Sequence, residues 1–241
     1  MKEAVFKIGR MPALLCGGEA ERAYLFVHGK HGCKEEARDF AEIICPNGWQ
    51  VLSVDMPEHG ERRGETGTFN PWHAVPELRS VMAWARRRWK GVALRATSIG
   101  AWFSLLAFSE DPPERSLFVS PVLDMTALIR TMMGWAGVTE AALEERGEIP
   151  TDFGETLSWR YYQYAKAHPI ERWSGSTAIL YAGGDALTSR ETVDAFAARF
   201  GCALTVMEDG EHWFHTEEQL AALRQWTWQN TGGDVLYNDW R

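Results

Sequence analysis

Four apolar, strand-length runs in this chain of 241 residues each end in a polar group suited to acyl transfer. They end at His28-Gly29-Lys30, at Ser98, at Gly183-Gly184-Asp185 and, just beyond the last run, at Gly210-Glu211-His212. Ser98 is the most informative of them. Val92 to Thr97 reads as a buried strand and Ile99 to Phe108 as an apolar helix, with no loop residue between them except the serine. A strand that turns directly into a helix crowds its corner, and the small residues Ala96 and Gly100 on either side are what such a corner needs. The serine side chain is then held at the positive end of a helix, where developing negative charge is stabilised. This is the elbow pattern G-x-S-x-G with Ala in the first position. The pattern alone has a competing explanation, a serine that simply caps a helix. It also has a decoy, Ser176 in Ser174-Gly175-Ser176-Thr177-Ala178. The decoy precedes a strand instead of ending one, so context favours Ser98.

The elements that must position these groups follow from periodicity. Residues 1–20 read as an amino-terminal hairpin or edge strands, with Gly17-Gly18 as the turn. Ala23–Val27 is a continuous apolar strand. Lys34–Cys45 is a helix with Ala37, Phe40, Ala41 and Ile44 on one face, and Gln50–Asp55 is the next strand. A polar loop leads to a helix from Pro76 to Trp89, and the segment around Ser98 follows. Ser116–Ser120, Ala178–Ala182 and Ala203–Met207 complete the strands. Thr188-Ser189-Arg190-Glu191 and Thr216-Glu217-Glu218-Gln219 read as capping boxes for the last two helices. Between residues 122 and 170 the alternation stops. Helical fragments are expected there around Met125–Met133, Thr139–Arg146 and Glu155–Ala167, with no strand between. Strand–helix alternation with fully apolar strands implies a mostly parallel sheet covered on both faces. Ligands of such sheets bind beyond the carboxyl ends of the strands.

Composition narrows the function classes. With 45% hydrophobic and 24% charged residues, the chain reads as one soluble α/β domain spanning residues 1–241, with 122–170 as an insertion within it. A formal net charge of −8 argues against nucleic acid or an anionic membrane as partner. No apolar run approaches the ~20 residues of a membrane span, and MKEAVFKIGR lacks the apolar core of a signal peptide. The four cysteines show no C-x-x-C pairing, so neither zinc nor a disulfide framework is indicated, and the cytoplasm is the expected compartment.

The order Ser98…Asp185…His212, with the segments LFVHGK, VDMPEHGER, ATSIGAW, YAGGDALTS and DGEHWF, resembles the α/β-hydrolase superfamily from Tyr24 to the last helix. The resemblance implies Ser98 as nucleophile, His212 as base and Asp185 as the acid that orients it. It implies an oxyanion hole from the backbone N–H groups of Lys30 and Ile99, no cofactor or metal, and a small-molecule carboxylic ester as substrate. Thioesterase and small peptidase are the neighbouring chemistries, and a non-catalytic ligand receptor on the same fold is the competing class. The chain departs from the pattern at Ala96 and lacks an HGGG run; a short His-Gly-x loop serves many small esterases of the superfamily. Asp124, after the preceding strand, is the alternative acid, although an N-terminal cap explains it as well. The resemblance makes the Asp55–His59 loop structural. The 122–170 insertion would form a small helical cap over the site, with Trp135, Trp159, Tyr161 and Tyr162 available to an acyl pocket. His28, Trp135, Trp159 and Trp213 are the candidate substrate contacts.

Overall fold

The computed structural model describes residues 1–231. In chain order the elements are β1 (Glu3–Ile8), β2 (Met11–Cys16), β3 (Arg22–Val27), α1 (Ala37–Ile44), β4 (Trp49–Val54), α2 (Pro71–Arg86), β5 (Gly91–Thr97), α3 (Ile99–Phe108) and β6 (Arg115–Val119). The insertion carries α4 (Met125–Ala136), α5 (Glu140–Arg146), β7 (Glu148–Pro150), β8 (Thr156–Ser158) and α6 (Trp159–Ala167). The chain then returns through β9 (Ser176–Ala182), α7 (Arg190–Phe200), β10 (Ala203–Met207) and α8 (Glu217–Asn230).

The central sheet has eight strands in the order β1-β2-β4-β3-β5-β6-β9-β10. The pairs β1–β2 and β2–β4 are antiparallel and the others parallel, so the mostly parallel sheet expected from the sequence is present. Side chains alternate across each strand. Ala23, Leu25 and Val27 of β3 enter one layer with α2, α3, α7 and the insertion; Tyr24 and Phe26 enter the other with α1 and α8. Helix α3 is apolar on all sides because it is enclosed on all sides: Gly100 to Leu105 are all buried. The helix behind Ser98 is therefore held by packing, and the strand before it has parallel partners on both edges.

Several boundaries differ from the sequence reading. The hairpin turn is Gly9-Arg10, not Gly17-Gly18. Helix α2 starts five residues early, at Pro71, capped by the Asn70 side chain accepting from the His73 N–H. Pro76 lies inside it and forfeits one backbone bond in the second turn. The cap of α7 is Ser189, whose hydroxyl accepts from the Thr192 N–H; Thr188 is buried and donates to the Pro121 carbonyl. The insertion is not wholly helical. Strands β7 and β8 form a small antiparallel hairpin in which Ile149 faces Leu157, and Glu155 lies in its turn, outside α6. Three-residue strands offer a single inward side chain each, too little for a period of two to register. Among the described residues, no helix is long and apolar enough to cross a membrane.

Candidate active site

Ser98 takes φ +52° and ψ −127°, a conformation costly for a residue with a Cβ. Both flanking peptides are pinned: its N–H donates to the Val119 carbonyl, and its own carbonyl accepts from Ala101 and Val122. The small neighbours are required sterically. A Cβ on Gly100 would lie 2.4 Å from the His28 carbonyl oxygen, and one on Gly29 would lie 3.1 Å from the Ser98 Cβ. The loop after β3 thus runs against the elbow. Ser176, the decoy, is an exposed residue that opens β9 at the opposite edge of the sheet.

The His212 loop reaches Ser98 because the ends of β9 and β10 are laced together. The Gly183 N–H donates to the Met207 carbonyl, and the Gly184 N–H to the Gly210 carbonyl. A Cβ on Gly183 would sit 2.3 Å from the Glu208 carbonyl oxygen, so only glycine permits this approach. The result brings three of the sequence candidates together. Ser98 Oγ is 2.9 Å from His212 Nε2, and His212 Nδ1 is 2.7 Å from Asp185 Oδ2. The Asp185 side chain is fully buried, and its other oxygen accepts from the N–H groups of Leu187 and Thr188. A carboxylate accepts and does not donate, so His212 carries its proton on Nδ1 and turns the Nε2 lone pair to the Ser98 hydroxyl. Asp124 is elsewhere: it caps α4, accepting from the Ala127 N–H at 2.9 Å. His215 stacks on Trp213, just ahead of α8.

The turn after β3 closes with the Gly32 N–H on the Gly29 carbonyl. Among the hydrogen bonds of the described residues, none uses the N–H of Lys30 or of Ile99. The turn is braced by the loop after β4. His28 is 1% exposed; its Nδ1 donates to the Gly29 carbonyl and its Nε2 accepts from the Met56 N–H. This corrects the expectation that His28 contacts substrate, because both ring nitrogens are committed to backbone inside the protein. Asp55, fully buried, accepts from the Lys34 N–H, the Lys34 ammonium and the Glu61 N–H. Gly60 makes room for it: a Cβ there would lie 2.1 Å from Asp55 Oδ1. The Asp55–His59 loop is a structural brace.

A charged pair and a set of ring contacts are among those that join the insertion to the elements around the sheet. The Glu155 carboxylate, in the β7–β8 turn, pairs with the Lys30 ammonium. Tyr161 of α6 stacks on Trp102 of α3 at 5.9 Å and meets Trp72 of α2 edge-on. The Tyr161 hydroxyl is buried without a partner. The ring contacts of Trp159 and Trp135 lie within the insertion, against Tyr162 and Phe153. Tyr162 is fully buried and anchors Arg130 and Glu140. Trp213, beside His212, is 76% exposed. The sequence offered no reason to single out Trp72, which lies ahead of the helix expected from Pro76, or Trp102, which reads as an ordinary apolar helix position.

No family model matches this sequence, and no curated protein matches it. Solved structures do. Est1E from Butyrivibrio proteoclasticus, with ferulic acid bound, superposes with a TM-score of 0.77 at 17% identity over 94% of this chain and 97% of its own. This chain has the α/β-hydrolase fold. Alpha/beta hydrolase domain-containing protein 10 from mouse is similar at TM-score 0.71 and 13% identity, over 93% and 96% of the two chains. The Pyrococcus furiosus esterase Pf2001 follows at 0.68 and 14%, over 95% and 88%. The chain thus spans nearly the full length of each of these neighbours.

The bracing of the β3 turn predicts an acid sensitivity. Burial pushes the His28 imidazole down to about 4 from the ordinary 6.5, and burial lowers His59 as well. Each group is neutral when folded and takes a proton more readily when unfolded. Stability is therefore full above the unfolded value and falls as the pH drops from about 6.5 toward 4. The His28 share of that loss is about 2 kcal/mol between pH 7 and pH 5. Urea midpoints measured across this range should decline, and His28→Gln should flatten the slope while lowering stability at pH 7. Parallel slopes in the two proteins would refute the assignment.

Proposed function

We propose that the protein is a cofactor-free serine hydrolase that cleaves small-molecule carboxylic esters through an acyl-enzyme on Ser98. The observation that carries this is the continuous relay from Ser98 Oγ through His212 to the buried Asp185 carboxylate, built on a strained strand-to-helix corner. A free serine hydroxyl is a poor nucleophile, and His212 Nε2 is placed to take its proton. As Oγ bonds to the carbonyl carbon, the oxyanion that forms would meet the unengaged N–H groups of Lys30 and Ile99, each such donor typically worth ~3 kcal/mol. Asp185 stabilises the imidazolium. His212 then returns the proton to the departing alcohol, and water, deprotonated by the same imidazole, releases the acid. The four cysteines are free thiols, in keeping with a cytoplasmic protein.

The aromatic contact of Tyr161, Trp102 and Trp72 supports an apolar or aromatic acyl group. Trp102 lies in the first turn of α3, which Ser98 opens, and Est1E accommodates ferulic acid on the same fold. The test is a panel of p-nitrophenyl esters of graded acyl length, together with an aromatic acyl ester and a thioester, and labelling by a fluorophosphonate. Ester turnover with stoichiometric labelling is the expected result. Preference for the thioester would move the protein to that class. Folded protein that neither turns over nor labels would favour a ligand receptor.

Within this reading, Tyr161→Ala is expected to change relative kcat/KM across acyl lengths by roughly tenfold, since one methylene in an apolar pocket is worth ~1–3 kcal/mol. Trp135→Ala should leave the profile unchanged, because its half-exposed ring rests on Phe153. An altered profile in Trp135→Ala with none in Tyr161→Ala would place the acyl group on the other side of the insertion.

A further inference from the structure

His59 stands outside the Ser98–His212–Asp185 relay, yet its ring is fixed on every side. It is 8% exposed and lies 5.2 Å from the His28 ring and 4.4 Å from Phe69, which in turn meets Phe103 of α3 edge-on. Its Nδ1 sits 2.7 Å from the Pro57 carbonyl oxygen, which can only accept, so Nδ1 carries the proton. Its Nε2 is then a lone pair, and it accepts from the His31 N–H at 2.9 Å. His31 itself is in the left-handed region, φ +65°. In the Gly29–Gly32 turn, closed by the Gly32 N–H on the Gly29 carbonyl, that is the third position of a type II turn, which normally requires glycine. A histidine held there is strained and persists only where the surroundings determine it. The natural relaxation is a flip of the Lys30–His31 peptide to the type I form, which would remove the His31 N–H from His59 and turn the Lys30 carbonyl toward it. A lone pair facing a carbonyl oxygen is repulsive, so neutral His59 rewards one turn and penalises the other.

We propose that His59 is a positioning residue for hydrolysis, holding the Gly29–Gly32 turn in the form that presents the Lys30 N–H to the oxyanion. This rests on the serine-hydrolase reading above. Gly29 and Lys30 share the peptide whose carbonyl is already held by His28 and Gly32, and a trans peptide points its N–H opposite to its carbonyl. His28 therefore aims that peptide, and His59 secures the adjoining one. Protonated His59 would instead present an N–H to the His31 N–H and an attractive donor to a flipped Lys30 carbonyl. Burial is the main influence that disfavours a proton on His59, with His31 and Lys30 acting in the same sense; the Pro57 carbonyl and Glu58 act in the opposite sense, and the facing His28 ring is held neutral by its own burial.

The experiment compares His59→Phe, which keeps a flat ring without an acceptor, with His59→Gln, which restores an acceptor, on a p-nitrophenyl ester. Ser98→Ala and the wild type bracket the assay, and thermal unfolding checks each fold. The expected result for folded His59→Phe is a kcat lower by about 10- to 100-fold with KM within about twofold, less than the full cost of an oxyanion donor. His59→Gln should recover most of that loss, and the affinity for a boronic acid inhibitor should fall and recover in step with kcat. Equal kcat in wild type and His59→Phe, or a loss that tracks the unfolding temperature and is not rescued by Gln, would overturn the proposal. Wild-type turnover that survives in Ser98→Ala would overturn the serine-hydrolase reading itself and this proposal with it.

Discussion

Replacing Ser98 by Ala is expected to abolish fluorophosphonate labelling and lower ester kcat by about 10⁶-fold, the scale on which a relay fails when its nucleophile is removed. The fold should be untouched, because among the described residues the Ser98 side chain bonds only to His212. Ser98→Gly makes a sharper companion. Glycine adopts φ +52° without the penalty that a Cβ brings, so this variant should be as inactive as Ser98→Ala yet more stable than the wild type by about 1 kcal/mol. Inactivation with a gain in unfolding temperature would identify the corner as strain kept for chemistry. Labelling that persists in Ser98→Ala and maps to another residue would reassign the nucleophile, and a loss of stability in Ser98→Gly would show that the corner carries no strain.

The elements that place the relay were legible in the sequence because each rests on a local rule. Apolar runs of strand length, the small residues around Ser98 and the glycine pair before Asp185 all state a backbone requirement directly, and the sheet and the Ser98–His212–Asp185 contact follow from them. What could not be read depends on side chains meeting across long separations. Nothing in the neighbourhood of His59 announces that its Nε2 will accept from a residue 28 positions earlier. Nothing marks Tyr161, rather than the adjacent Tyr162, as the ring that reaches Trp102: successive helix positions face different sides, and the phase of α6 is set by a hairpin too short to detect. His28 reads from the sequence as a candidate substrate contact for a related reason. Its position beside the site is evident in the sequence, but its burial is fixed by the Met56 N–H, supplied by the next loop.

Asp185→Asn is expected to cost kcat about 10⁴-fold with little loss of stability, and the arrangement around the carboxylate says how. The Oδ1 of Asp185 accepts from two backbone N–H groups, those of Leu187 and Thr188. An asparagine there must keep its oxygen on those donors, since its NH₂ would clash with them. The NH₂ is then turned toward His212 Nδ1, where the structure now has a carboxylate oxygen at 2.7 Å. His212 can meet a donor only by giving up the proton on Nδ1, so the imidazole shifts to the Nε2–H tautomer. Its proton then faces the Ser98 hydroxyl, and no lone pair remains to accept from it. The defect should be in kcat, with KM nearly unchanged, because the binding surfaces are intact. Asp124→Ala supplies the contrast. It removes the acceptor for the Ala127 N–H at the start of α4, which should lower stability by about 1 kcal/mol and leave kcat within about twofold. Measuring kcat and unfolding midpoints for both variants separates the two carboxylates, and turnover abolished by Asp124→Ala but retained in Asp185→Asn would reverse their roles.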